Sequence, residues 1–244
     1  MMPKRKYYDM AILLRVDVDN PYGYKTFREK TLNYLALKYD FPKIDTLGYL
    51  RYLKILLKDL EERGITATFF FKTTTIPKTN LRNQILKKHE VGFHAVRTRT
   101  FNEFSKDFNK VNIAFKGEVY GMSKHGSGIW VGKEKRHTRE YNVSRCIKYA
   151  KKLGLKYFSG NDEDPRMEKT VVNGIIYYPS AFWINKKRRK PQFTIEWLIE
   201  ESSRKDIVVL LHPYEWATQY QIYRDYEKIV NLGDKFKTFT EVSK

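Results

Sequence analysis

Acid and imidazole side chains stand where short apolar runs end. Asp17 and Asp19 close the run that starts at Met10 (MAILLRVDVDN), His94 closes EVGFH, and His212 closes IVVLLH. His125 follows the run Val119 to Ser123, in the loop Ser123-Lys124-His125-Gly126. Such groups together can hold a divalent metal through oxygen and nitrogen, or move protons as general base and general acid. Each alone has a plainer reading, because Asp after a strand is often a turn former or helix cap and a single His is ordinary polar surface. Turn chemistry gives no reason for all of them to share a strand-end position. Two cysteine-based roles are excluded more firmly: Cys146 is the only cysteine, so neither an intrachain disulfide nor a Cys-rich zinc module can form.

Alternating elements must position these residues. Met10 to Val18, Ile65 to Phe71 (ITATFFF), Glu90 to His94, Val119 to Ser123, Leu155 to Ser159 and Ile207 to His212 read as buried strands. Between them lie amphipathic helices. Leu50, Leu53, Leu57 and Leu60 share one face of a helix from Thr46 to Arg63, ended by Gly64. Phe101, Phe104, Phe108, Val111 and Phe115 stripe another, opened by the capping box Thr100 to Glu103. Further helices are expected over Leu81 to Lys88, Arg139 to Leu153, Thr194 to Arg204 and Gln219 to Leu232, and an extended stretch from Val171 to Ile184 turns at Asn173-Gly174. About seven β/α units predict an α/β fold, a parallel sheet rolled into a closed or nearly closed barrel. Its chemistry would sit at the C-terminal strand ends.

The chain has 244 residues, 41% of them hydrophobic and 15% aromatic, which argues against disorder and is enough for one sizeable core. We expect a single domain over residues 10–244 after a basic N-terminal extension, residues 1–9. No apolar run is long enough to span a membrane, and no uncharged signal-peptide core is present, so a soluble, cytoplasmic protein is expected. The formal charge of +19 is densest at Lys186-Lys187-Arg188-Arg189-Lys190. That run is either a patch for a polyanion or a solvated loop. The second reading is favoured because no nucleic-acid motif accompanies it.

The motifs also carry a resemblance. Val16-Asp17-Val18-Asp19, the Ala-Thr-Phe-Phe strand, His89-Glu90-Val91-Gly92-Phe93-His94 and Leu210-Leu211-His212-Pro213 resemble, in order and separation, the polysaccharide deacetylases, the NodB-homology group or carbohydrate esterase family 4. The resemblance implies a distorted (β/α)7 barrel. It also implies a divalent-metal amidase, most simply with zinc, that removes acetyl from an N-acetylated sugar of a glycan. Asp17 would be the general base, Asp19 and His94 metal ligands, and His212 the general acid.

The match breaks at two places. The family's second His, four residues after His94, is Thr98 here, a weak zinc ligand. His125 is the candidate replacement; an ordinary loop histidine is the alternative. The family's Arg-Pro-Pro-Tyr-like run is replaced by Gly121 to Gly128, in which Lys124 could take the Arg role beside the base. Asp162 and Asp164 could orient His212, and Trp216 is read as core rather than as a sugar platform. Three functions are therefore in play: a deacetylase acting on a carbohydrate, neutral or acidic; an impaired barrel that binds glycan without turnover; and, resting on charge alone and disfavoured, a nucleic-acid binder.

Overall fold

The computed structural model describes residues 10–23, 26–39, 47–126, 129–131, 134–136 and 141–243. The basic extension 1–9 lies outside them, as do His137 and the first residue of the helix expected from Thr46. Strand β1 (Ile12–Val18) leads through α1 (Phe27–Tyr39) and α2 (Gly48–Glu62) to β2 (Thr68–Phe71). Then come α3 (Thr79–Lys88), β3 (Glu90–Ala95), α4 (Phe101–Ala114) and β4 (Val119–Lys124). A hairpin of β5 (Ile129–Val131) and β6 (Glu134–Arg136) precedes α5 (Val143–Lys152) and β7 (Tyr157–Asp162). β8 (Thr170–Val172), β9 (Ile175–Ser180) and β10 (Phe182–Trp183) follow, then α6 (Ile195–Glu201) and β11 (Ile207–Leu211). The chain ends with α7 (Pro213–Thr218), α8 (Tyr220–Val230) and α9 (Phe239–Val242).

The main sheet runs β10-β11-β1-β2-β3-β4-β7-β9-β8, with every neighbour parallel except the β8–β9 hairpin. That hairpin turns at Asn173 and Gly174, both with positive φ, as the Asn-Gly pair predicts. The sheet curls without its edges pairing. The Arg15 side chain on β1 spans the curl and bonds to carbonyls of β7, four strands away in sheet order. The expected barrel is thus a curled, parallel-rich half-barrel.

Strand alternation separates two cores. On β1, Ile12, Leu14, Val16 and Val18 join the cluster containing Leu50, Leu53, Leu57 and Leu60 of α2. Ala11 and Leu13 join a second cluster with Phe70, Tyr157, Tyr178, Leu210 and Phe239, inside the curl. Each fully buried large apolar side chain contributes about 1.5–3 kcal/mol. Glycine makes room for the inner rings. A Cβ on Gly92 would lie 2.3 Å from Phe70, and one on Gly121 2.0 Å from Tyr157. Phe239 of α9 stacks on Tyr157 with centroids 4.7 Å apart, and Glu90 accepts both the Tyr157 hydroxyl and the Thr240 N–H. These contacts close the N-terminal end of the curl, so the C-terminal strand ends are the open face.

The periodic helices form close to their expected limits, and Thr100 caps α4 by accepting from the Glu103 N–H. The helices α1 and α7 and the hairpin β5–β6 were not foreseen. Helix α7 starts with Pro213 in its first turn directly after His212, and this has consequences for the site.

Candidate active site

Asp17, Asp19, His94, His125 and His212 line one cleft of about 740 Å³ at the open face. Asp19 leaves β1, His94 lies in β3, and His125 follows β4, held there by its N–H to the Ala95 carbonyl (2.8 Å). His94 Nε2 and His125 Nδ1 each lie 3.0 Å from Asp19 Oδ1, and 3.1 Å from each other. His94 Nδ1 meets Ser123 Oγ at 2.6 Å, which fixes the ring and leaves Nε2 facing its two partners.

The three facing atoms fit a divalent ion. Ligands about 2.0–2.1 Å from a common zinc ion stand roughly 3 Å apart, and an Asp with two His is a zinc-type donor set. Burial pushes the His94 pKa down to about 4, so the imidazole is neutral at pH 7 and carries only one proton. When Nδ1 donates that proton to Ser123, Nε2 presents a lone pair to a carboxylate oxygen, which repels it unless a cation lies between. Asp19 stays ionised. Burial would raise its pKa, but hydrogen bonds from His125 and His212 and the charge on His212 hold it well below the carboxylate range.

Asp17 is held from beneath by Arg15. The guanidinium Nε donates to Oδ1 at 2.9 Å and Nη2 to Oδ2 at 2.6 Å. Its other protons go to Gly160 O (2.6 Å), Ser159 Oγ (3.1 Å) and Asn161 Oδ1 (2.8 Å). Both partners are buried, and this fork is the favourable way to bury a carboxylate. Burial opposes ionisation of Asp17, yet the charge on Arg15 lowers its pKa below the ordinary value.

On the other side, His212 Nε2 lies 3.3 Å from Asp19 Oδ2, and its Nδ1 3.4 Å from Glu215 Oε2. Burial lowers the His212 pKa, but the two carboxylates outweigh it and lift the value to about 10. His212 is therefore an imidazolium at neutral pH, held at both nitrogens.

Several expectations need correction. Lys124 does not steady Asp17: its ammonium donates to Val96 O and His125 O and so shapes the His125 loop. Arg15 has that role. Neither Asp162 nor Asp164 orients His212. Asp162 accepts the Asp164 N–H, and Asp164 pairs with Arg166, while Glu215 of α7 reaches His212 instead. Thr98 is fully buried and its hydroxyl bonds to the Cys146 thiol on α5, away from the cleft. Trp216 is core as expected, packed against Tyr226, whereas Trp183 stands beside His212 with ring centroids 5.9 Å apart. The basic run is not simply a solvated loop, because Lys187 to Lys190 line the cleft.

Lys72 is a further residue that the sequence reading did not pick out. It follows β2, continues the inward face of Thr68 and Phe70, and places Nζ 3.3 Å from His125 Nε2 and 3.9 Å from Asp19 Oδ1. Burial pulls its pKa below the usual lysine value, against the charges of Asp19 and Asp17. Strand alternation was the signal available for it.

No family model matches the sequence, and no curated protein matches it. Solved structures do match. A putative polysaccharide deacetylase from Mycobacterium smegmatis aligns at TM-score 0.64 and 15% identity, covering 96% of this chain and 88% of the other. A mutant of the peptidoglycan deacetylase from Bacillus subtilis aligns at 0.52 and 13% identity, over 96% and 89%. A CE4-family pseudoenzyme from Bacillus anthracis aligns at 0.52 and 15% identity, covering 96% of this chain and 66% of that one, so the chain spans about two thirds of its length. At these identities the likeness is one of fold: the chain has the polysaccharide deacetylase fold that its motifs resemble.

Proposed function

We propose that this chain is a divergent deacetylase of that fold, a metal-dependent hydrolase that cleaves the amide C–N bond of an N-acetylated sugar in a glycan. The observation that carries the proposal is the arrangement of three units around one cleft: Arg15-held Asp17, the Asp19–His94–His125 triangle, and His212 on Glu215. A divalent ion, zinc by its donor set, would be held by Asp19, His94 and His125 and would supply Lewis acidity towards water and the acyl carbonyl.

The chain's own groups supply the proton steps. Asp17, kept ionised by Arg15, accepts a proton from the attacking water as its oxygen bonds to the acyl carbon. The His212 imidazolium carries a proton on each nitrogen: Nδ1 is held by Glu215 on the far side of the ring, while Nε2 lies on the side of Asp19 and the other cleft groups and is the nitrogen that can give its proton up. It delivers that proton to the amine nitrogen as the C–N bond breaks, leaving acetate and a free amine. The lifted pKa keeps the acid loaded at neutral pH. Proton movement then runs from Asp17 on one side of the amide to His212 on the other.

Lys72 favours a second reading, a barrel that binds glycan without turnover. Its ammonium lies where it would repel a divalent ion. The two readings separate on acetate release from N-acetylglucosamine oligomers with added zinc. Turnover abolished by chelator and reduced at least 100-fold by Asp17→Asn supports the hydrolase. Binding of the oligomers with no acetate under any metal supports the second reading.

A further inference from the structure

The run Lys186 to Lys190 divides its work. Asn185 caps a short turn over Lys186–Arg188, its side chain accepting from the Lys187 N–H at 3.1 Å. Arg189 turns inward and fastens the turn. It donates to Trp183 O (3.1 Å) and Ile184 O (3.0 Å), lies 3.4 Å from Asp225 Oδ2, and stacks 4.6 Å over the Phe182 ring. With its charge met by Asp225, Arg189 is an anchor. Lys187, Arg188 and Lys190 are left exposed, and all three line the cleft that holds Asp17, Asp19, His94 and His212. The Arg188 guanidinium lies 5.5 Å from the Trp183 ring centre and 3.7 Å from Glu215, the carboxylate that holds His212.

A solvated run would have no reason to be pinned at one residue so that its neighbours face a reaction cleft. The cleft's acids do not neutralise this wall. Asp17 is held by Arg15 and Asp19 by imidazoles, and Glu215 is shared between His212 and Arg188. Glu163 adds one negative charge against Lys187, Lys190 and an Arg188 that Glu215 meets only in part, so the cations stay in excess. Low-dielectric walls focus such a field on whatever enters.

From this geometry we infer that the substrate is an acidic glycan, and that Lys187, Arg188 and Lys190 bind an anionic substituent of it beside the scissile amide. The inference rests on the hydrolase reading for the word substrate, but the anion site itself is a matter of binding. Contacts from Arg188 to Glu215, His212 and Asp19 follow one another directly, so the anion belongs on the sugar that bears the amide or on the next one. A glycan is favoured over nucleic acid because the cations stand inside a concave cleft with one end at the reaction centre. A duplex would need a phosphate-tracking stripe on an open face.

The test is calorimetric binding of three N-acetylated tetrasaccharides at low salt: neutral chitotetraose, a hyaluronan oligomer bearing carboxylates, and a chondroitin sulfate oligomer bearing sulfate as well. Acetate release is followed in parallel. At least tenfold tighter binding of an acidic oligomer than of chitotetraose is expected, falling to under threefold in Lys187→Gln/Lys190→Gln and in 0.5 M salt. The two acidic arms show whether carboxylate or sulfate is preferred. Equal affinity for neutral and acidic oligomers, or no binding of any, overturns the inference, as does an oligothymidylate that competes as well as the acidic glycan. Variant-sensitive binding of the acidic oligomer without acetate release upholds the anion site and counts against the hydrolase reading. Release of acetate with no preference between oligomers does the reverse.

Discussion

Substituting Arg15 by Met tests the foundation of the base. The methionine keeps much of the apolar stem but removes every guanidinium bond to Asp17, Ser159, Gly160 and Asn161. Asp17, 3% exposed, is then a buried carboxylate without its cation. Breaking one side of a buried pair typically costs about 3–5 kcal/mol. For a chain of this length that lowers Tm by on the order of 10 °C. Most of the loss should return in Arg15→Met/Asp17→Asn, giving a coupling energy of about 2 kcal/mol or more. The pH dependence has a defined sign. In the native chain the Asp17 pKa is below its unfolded value, so its stabilisation is present above about pH 4 and is lost as pH falls through the folded pKa. In Arg15→Met burial acts unopposed by the guanidinium and lifts the Asp17 pKa above the unfolded value. The variant then gains on the native chain as pH falls from 7 towards 4.5. Urea unfolding at both pH values, with chelator present, measures the gap. A cost under about 1 kcal/mol at pH 7, or a gap that widens on acidification, would refute the reasoning.

Other perturbations have equally direct readouts. His89 is 7% exposed, neither ring nitrogen has a hydrogen-bond partner among the described residues, and burial pushes its pKa down to about 4. The unfolded chain therefore takes up that proton first, so full stability holds above about pH 6.5 and is lost towards pH 4. Between pH 7.5 and 4.5 the loss is about 2.5 kcal/mol. His89→Leu should show an acid sensitivity smaller by that amount in denaturant melts, and an unchanged profile would show that His89 is already solvated. Lys72→Met should tighten zinc binding by tenfold or more. A single charge about 4 Å from a divalent one costs roughly 2 kcal/mol even at water's dielectric. Weaker zinc binding in calorimetric titration of that variant would instead mean that Lys72 supports the site.

Much of the barrel was readable because its signals are local. The Leu stripe of α2, the Phe stripe of α4 and the apolar strands repeat within a few residues, and a parallel β/α alternation then puts Asp17, Asp19, His94 and His212 on one rim. Arg15 was harder. Its hydrogen-bond partners on β7 lie about 145 residues downstream, although a lone cation two positions before Asp17 in an otherwise apolar strand marks the same inward face. Glu215 was missed for want of α7: once Pro213 is read as the first turn of a helix, the i,i+3 pair with His212 follows. Asp162 and Asp164 looked better placed only because they stand at and just beyond the C-terminal end of β7. Thr98 shows the limit of motif spacing, since a position four residues beyond His94 is used here to pack α5. The cleft-lining role of Lys187 to Lys190 depends on the inward turn of Arg189, which no local pattern records.

Metal stoichiometry in the native chain and two variants tests the central claim most directly. After dialysis against zinc and removal of excess, the account predicts one zinc ion per native chain. In His94→Ala and His125→Ala it predicts affinity losses of comparable size, tenfold or more in each, as expected for removal of a direct ligand. A native chain that retains no zinc, or a His125→Ala variant that binds it as the native chain does, would contradict the account.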